Sequence, residues 1–313
     1  MSVLITGGAG FIGSHLAERL VRDGFEVVIL DDLSAGSEDN FSSFEETHSL
    51  KFVKGDVRNL ATLKGCFDDV TAVVHLAGMT SVARSMQSPE ECADVNVTGT
   101  GNVLKACVES GVSNFLYASS SAVYGDTKCI PTAEDHPLHA LSPYAASKIS
   151  GENLCRTYRG TNDLETVCFR FFNVYGPRQG DNGYANVITK FLNRIRANWP
   201  PLIYGDGLQT RDFIHVHDVV RVLEEAIVKK TTSGTYNVGT GRCITINYLA
   251  EAILKLCEAR TNSSIHLPPQ SGEVRQSQAD ISRLTYEFGF EPTVRLEQGL
   301  HDMIMEGPIL QDL

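Results

Sequence analysis

The sequence predicts an α/β protein with a doubly wound parallel sheet and a smaller C-terminal α/β lobe. Three observations carry that prediction. Short β-branched apolar runs alternate with segments of helical period, a rhythm that implies parallel strands joined by right-handed crossovers. The runs are continuously apolar, as strands covered on both faces are. The first run passes into the first helical segment through three glycines at G-x-x-G-x-x-G spacing.

Val3-Leu4-Ile5 is the first strand. "ITGGAGFIGSHLAERL" follows, with Gly7, Gly10 and Gly13 leading into a helix from Ile12 to Asp23. Glycine permits the tight turn and close backbone approach, and a helix N-terminus offers unpaired N–H groups to a pyrophosphate, so the loop reads as a dinucleotide site of Rossmann type. A purely structural strand-to-helix turn is the plainer alternative. The second strand, Val27 to Leu30, ends on Asp31-Asp32, near the ~20-residue offset at which a carboxylate accepts from an adenosine ribose. A carboxylate there repels a 2′-phosphate and favours NAD over NADP; two solvated turn aspartates are the alternative, more readily for Asp32. Strands at Phe52-Val53 and Ala72 to Leu76 bring Asp56-Val57 and Leu76-Ala77-Gly78 to carboxyl ends, where such sheets bind ligands. A helical pattern from Cys92 to Ser110 and strands at Phe115 to Ala118 and Val167 to Phe169 continue the series. From Asn173 it loosens into Gly- and Pro-containing loops with amphipathic stretches around 186–197, 216–229 and 246–259. The expected division is 1–172 for a nucleotide domain and 173–313 for the second lobe, with parts of 212–240 returning to the first.

Composition narrows the function. With 42% hydrophobic and 21% charged residues, the 313-residue chain reads as soluble and globular, without an apolar run of membrane-spanning length or an N-terminal secretion signal. A formal charge of −11 disfavours a nucleic-acid partner. Eight scattered cysteines without a C-x-x-C argue against zinc and disulfides and suit the cytoplasm. His215 and His217, two apart, lack accompanying ligands at metal spacing, so no metal is expected, and His75 reads as a core histidine.

Two stretches suggest chemistry. "LSPYAASKISGENLCRTYRG" reads as a helix with Ser142 as N-cap, Pro143 at its first position and Gly160 beyond its end. Tyr144 and Lys148 then share one face at i and i+4. An ammonium beside a phenol lowers its pKa from about 10 and makes Tyr144 a plausible proton acceptor. Surface helices also carry Tyr and Lys at this spacing by chance; the nucleotide loop and five preceding strands favour the functional reading. The second stretch, "YASSSAVYGD", is either a linker or a strand end that delivers a serine.

Taken together, TGGAGFIG (6–13), LDDLSAG (30–36), GDV (55–57), HLAG (75–78), VNVTGTGNVL (95–104), SSSAVYGD (119–126), PYAASK (143–148), RFFNVYGPRQ (170–179), GDGLQTRDFIHVHDV (205–219), YNVGTG (236–241) and GEVRQSQAD (272–280) resemble the extended short-chain dehydrogenase/reductase family nearly end to end. Within it the chain is similar to the nucleotide-sugar branch, and there to the type that epimerises UDP-hexoses at C4. The resemblance implies a tightly held NAD. Phe11 and Ile12 would lie against the pyrophosphate, Asp31 would hold the adenosine ribose, and Asp56 and Val57 would contact adenine. Ser34 and Gly36 join the cofactor set, with Leu76, Ala77, Gly78, Thr80 and Asn96 lining it, Lys148 on the nicotinamide ribose and Phe172 near the nicotinamide. A serine assists the tyrosine, Ser121 by its distance from VYG, with Ser120 as the other choice.

On the substrate side the resemblance implies a grip on a nucleotide diphosphate by Asn173, Asn186, Val187, Arg211 and Arg275. Tyr204 and Asp280 either contact base or ribose or complete turns, and Arg178 is either a phosphate ligand or a surface pair. Ser277 leaves room for N-acetyl sugars, or caps a turn. The implied reaction is NAD-dependent C4 epimerisation of a UDP-hexose through a 4-keto intermediate. Sugar-nucleotide 4,6-dehydratases, UDP-glucuronate decarboxylases and UDP-glucuronate 4-epimerases are the alternatives, and a non-catalytic NAD-sensing regulator is a more distant one. Dehydratases and decarboxylases carry acidic residues before VYG, where this chain has Ser121 and Ala122. The resemblance also implies a homodimer built on helices near 93–109 and 143–159.

Overall fold

The structure is a computed structural model that describes residues 1–44, 49–180, 187–229, 233–260, 263–269 and 274–306. Asn186 lies outside the described residues. The first elements are β1 (Ser2–Thr6), α1 (Phe11–Arg22), β2 (Glu26–Asp31), β3 (Leu50–Lys54), α2 (Leu60–Lys64) and β4 (Val70–His75). Then come α3 (Val82–Gln87), α4 (Pro89–Ala93), α5 (Gly99–Glu109), β5 (Asn114–Ser120), α6 (Pro143–Thr161) and β6 (Glu165–Phe171). The second lobe supplies β7 (Asn173–Tyr175), α7 (Val187–Arg196), β8 (Leu202–Tyr204), β9 (Thr210–Arg211), β10 (Phe213–His215) and α8 (Val216–Lys229). The chain ends through β11 (Gly234–Val238), β12 (Ile244–Thr245), α9 (Ile246–Leu256), β13 (Ile265–Leu267), α10 (Ser282–Phe288) and α11 (Leu296–Glu306).

Seven parallel strands form the main sheet in the order β11-β6-β5-β4-β1-β2-β3. The order reverses between β1 and β4, so their carboxyl ends part there and open a crevice. Burial explains the apolar runs. Val3, Ile5, Val27, Ile29 and Val74 pack on one face beneath α1 and α8, and Leu4, Leu30, Val73 and Phe115 on the other beneath α5 and α6. Each fully buried aliphatic contributes about 1.5–3 kcal/mol. A second core joins α7, α9 and α11 through Phe191, Leu249, Ile253 and Leu300. The last strand of the main sheet, β11, is inserted within the stretch that forms this second core, and α8 precedes it against the sheet.

The helical pattern from Cys92 to Ser110 is not one α-helix. A wide π turn over Asp94–Thr98 separates α4 from α5. Such turns hide inside helical periodicity and cluster at functional sites. Gly160 lies inside α6, which runs to Thr161 with Asn162 as C-cap. Its start matches the expected pattern: the Ser142 side chain accepts from Ala145 N–H, and Pro143 is the first residue. Among the described residues no helix is long and apolar enough to cross a membrane.

Candidate active site

A cleft of about 640 Å³ opens at the carboxyl ends of β1, β2, β4 and β5. Gly7, Gly10, Phe11, Ile12 and Gly13 line one wall, with Asp31, Asp32, Ser34, Gly36, Asp56 and Val57 beyond them. Leu76, Ala77, Gly78, Thr80, Ser120, Tyr144, Lys148 and Phe172 line it further, and Arg178 reaches it from the second lobe.

The glycine loop has the shape of a dinucleotide cradle. Gly7 has φ +71°, and a Cβ on it would stand 2.7 Å from the Ala77 nitrogen. A Cβ on Gly13 would stand 2.3 Å from the Gly7 carbonyl oxygen. No side chain caps α1, so its first N–H groups face the cleft without a capping acceptor. Asp31 shapes the far side: its carboxylate accepts from Ala9 N–H at 3.0 Å and Leu33 N–H at 2.8 Å, and burial pushes its pKa up. Asp32 is exposed and accepts from Ser34 N–H, as a turn aspartate does. These donors and the acidic strand end fit NAD, with Phe11, Ile12 and Gly13 offering N–H groups to its pyrophosphate and Asp31 lone pairs to its ribose.

Asn96 is a support behind the cleft. It is 1% exposed, and from the π turn its amide accepts from Met79 N–H at 2.7 Å and donates to the Met79 carbonyl at 3.0 Å. It therefore fixes the 77–80 loop by gripping its backbone. His75 is a core histidine bonded to Thr6 and Thr100, and burial lowers its pKa to about 3.

The catalytic end is built where α6 crosses β5. Close approach depends on Gly151, since a Cβ there would meet the Tyr117 hydroxyl at 2.1 Å. Tyr144, Lys148 and Glu152 then point at the end of β5 from successive turns of α6. Ser120 is the side chain beside the Tyr144 hydroxyl that favours its charged form. The Lys148 ammonium donates to the Ala118 carbonyl at 2.7 Å, and Ser119 donates to Glu152 at 2.5 Å.

Two expectations change here. The serine that meets Tyr144 is Ser120, because β5 extends through it and Ser121 begins a 3₁₀ turn (Ser121–Tyr124) that Ser120 caps through Ala122 N–H. Burial also pushes the Tyr144 phenol above its usual range, and the Ser120 hydrogen bond only partly opposes this. Lys148 lies over the ring, 5.9 Å from its centre, and is itself lowered to about 8 by burial.

A buried network next door has no signature in the residue pattern. Arg170 pairs with Glu152 through Nε–Oε1 at 2.9 Å and Nη2–Oε2 at 2.7 Å, and donates to the Tyr124 hydroxyl at 2.9 Å. Tyr124 in turn donates to Asn237 on β11. Two charged residues in helical and strand patterns read as surface residues until the fold brings them together.

Asn173, Val187, Tyr204, Arg211, Arg275 and Ser277 do not line the cleft. Segment 274–280 instead runs back to the serine turn: Arg275 N–H donates to Asp126 at 2.9 Å, and Thr132 N–H donates to the Gln278 carbonyl. Thr210 N–H donates to the Arg275 carbonyl, which sets Arg211 and Arg275 side by side in the chain path. The Arg275 guanidinium is paired with Asp206 at 2.7 and 2.8 Å, which lowers Asp206 to about 2. Asn173 donates to the Asp212 carbonyl, and Arg178 pairs with Glu18 on α1. Ser277 is half-buried. His215 and His217 stack edge to face with centroids 4.7 Å apart, and His15 meets His217 at 5.4 Å. No group of three or more His, Cys, Asp or Glu among the described residues is placed to hold a metal.

Comparison with known proteins agrees with this geometry. Residues 4–303 match the family model of GDP-mannose 4,6 dehydratase. The chain is 39% identical to the UDP-glucose 4-epimerase of Mycolicibacterium smegmatis over 303 residues, 96% of each chain. It superposes on the UDP-glucose 4-epimerase of Thermotoga maritima, solved with UDP-glucose, with a TM-score of 0.92, 32% identity and 98% of each chain covered. It also matches the dTDP-glucose 4,6-dehydratase of Streptomyces venezuelae, solved with NAD, with a TM-score of 0.92 and 30% identity over 97% of this chain and 96% of that one. The chain thus belongs to the extended short-chain dehydrogenases/reductases, in the branch of NAD-dependent enzymes that remodel nucleotide sugars.

Proposed function

We propose that the protein interconverts C4 epimers of a UDP-hexose, either UDP-glucose and UDP-galactose or their N-acetyl counterparts. The observation that carries this is Ala122, which packs with Met79, Cys92 and Tyr144 at the catalytic end. Eliminating water from a 4-keto sugar needs a proton taken from C5 and another given to the leaving hydroxyl. Ala122, Met79, Cys92 and Ser120 are the neighbours of Tyr144 at this point. The carboxylates of the cleft are Asp31, Asp32 and Asp56 at the strand ends, and Glu91, which is paired with Arg84.

NAD bound in the cradle supplies the redox chemistry, taking hydride from C4 and returning it to the other face of the resulting 4-keto sugar. The residues supply placement and proton transfer. Ser120 donates and accepts, so it relays the C4 hydroxyl proton to Tyr144. Lys148 sets the local positive potential, and its bond to Ala118 keeps it beside the phenol. Phe172, 6% exposed, keeps water from that end. Arg211 and Arg275 suit the diphosphate, Arg275 by exchanging Asp206 for phosphate oxygens. Asn173, Val187 and Tyr204 complete the substrate side on this reading, and half-buried Ser277 leaves space for an N-acetyl group. Residues 1–172 with α8 and β11 form the NAD domain, and two copies pair through helices 93–109 and 143–159.

The test is incubation of purified protein, without added NAD, with UDP-glucose, UDP-N-acetylglucosamine and UDP-glucuronate, followed by product separation. A C4 epimer supports the proposal; a 4-keto-6-deoxy product or released carbon dioxide overturns it.

A further inference from the structure

Glu152 and Arg170 are buried, with side chains 4% and 6% exposed, and neither touches the cofactor loop. Stability gives little reason for such a pair, because apolar groups of similar volume serve as well. A bidentate guanidinium–carboxylate contact, however, fixes direction as apolar packing cannot. We propose that Glu152 and Arg170 are positioning residues that hold Ser120 against Tyr144 by clamping both ends of the serine turn.

The geometry is specific. Glu152 accepts from Ser119, the residue before Ser120 on β5. Arg170 donates from Nη1 to the hydroxyl of Tyr124, the last residue of the 3₁₀ turn, and to the Glu134 carbonyl at 2.8 Å. One end of the turn is thus tied to α6 and the other to β6, with Ser120 between them.

The clamp also has an electrostatic role. Glu152 lies one turn beyond Lys148 and favours its ammonium. The other titratable groups facing that ammonium are His75 and Tyr117 from the sheet, Cys92 from α4, and Tyr144 and Cys155 on α6. Arg170 and Tyr124 face Glu152 from the far side.

The proposal rests on the proton-transfer reading of Tyr144, so its test includes a readout independent of turnover. Glu152→Gln and Ser119→Ala are prepared as NAD-bound protein and assayed with the UDP-sugar from pH 6 to 10. Glu152→Gln is expected to lower kcat roughly 10- to 100-fold with KM within about twofold, and to move the alkaline limb to lower pH. Ser119→Ala is expected to lower kcat about 3- to 10-fold and leave the limb in place. In protein carrying 13C at the tyrosine Cζ, the Tyr144 resonance, assigned with Tyr144→Phe, should shift in both variants. Folded variants with wild-type kcat, pH profile and Tyr144 resonance overturn the proposal, as does a rise in KM at constant kcat. If Glu152→Gln does not fold, Ser119→Ala decides alone. Equal turnover by wild type and Tyr144→Phe overturns the proton-transfer reading instead, and the Tyr144 resonance then decides whether the clamp positions Ser120.

Discussion

Lys148 gives its ammonium to the Ala118 carbonyl at 2.7 Å while lying 5.9 Å from the centre of the Tyr144 ring. It is therefore anchored to the sheet, beside the phenol ring. Burial lowers its pKa to about 8, so its charge is lost within an accessible pH range. Turnover should fall on the alkaline side with an apparent pKa near that value, measured as kcat against pH. An alkaline limb at or above the ordinary lysine pKa of about 10.4 would contradict it.

The same group has a stability signature of known sign. Between the folded pKa and the unfolded one the unfolded chain binds more protons, so stability rises with pH through that window, by at most about 3 kcal/mol. Thermal melts of wild type against Lys148→Met from pH 7.5 to 10.5 test this: the wild type should gain relative to the variant as pH rises. Parallel curves would refute it.

Ser120 and Ser121 are adjacent, and the end of β5 falls between them. Ser120→Ala should lower kcat about 10- to 100-fold with little change in KM, whereas Ser121→Ala should stay within about threefold. Steady-state kinetics of the two variants decides, and a reversed order would restore Ser121.

Gly10 and Gly13 should also separate. A Cβ on Gly10 meets the Gly7 oxygen at 3.2 Å, but one on Gly13 meets it at 2.3 Å. Gly13→Ala should therefore cost about 2 kcal/mol or more of stability along with cofactor affinity. Gly10→Ala should keep most of the stability and lose NAD affinity, seen by calorimetric titration beside thermal melts. Equal destabilisation by both would count against the cradle.

His15 predicts acid sensitivity. It is 7% exposed, bonded to the Pro177 carbonyl, and lowered to about 4 chiefly by burial. The unfolded chain binds the proton first as pH falls from about 6.5 toward that value, so stability is lost over that window, by up to about 3 kcal/mol. His15→Gln should lose stability less steeply there in denaturant titrations. Identical slopes would exclude His15 as a source.

Much of the fold is legible because the strands are buried on both faces and spell themselves as Val3-Leu4-Ile5 or Val27 to Leu30. The nucleotide loop is legible for a similar reason, since only glycine satisfies the contacts at Gly7 and Gly13. Other features depend on where an element ends. The choice between Ser120 and Ser121 turns on whether β5 runs one residue further, and the π turn at Asp94–Thr98 leaves the apolar spacing nearly intact. The Glu152–Arg170 pair joins residues 18 apart whose types signal solvent until α6 is laid on β5. The i, i+4 spacing of Tyr144 and Lys148 predicts a lowered phenol; burial instead raises it, opposed in part by Ser120.

The seventh strand of the main sheet, β11, enters only after the first part of the second lobe, β7 to β10, has been made. A fragment ending at residue 172 would leave the edge of β6 bare and α1 without its partner α8. The substrate lobe is therefore no cassette to be exchanged at a single junction. A graft of this lobe would need three junctions, one after β6, one before α8 and one after β11, and segment 274–280 to be matched to the turn that Ser120 caps.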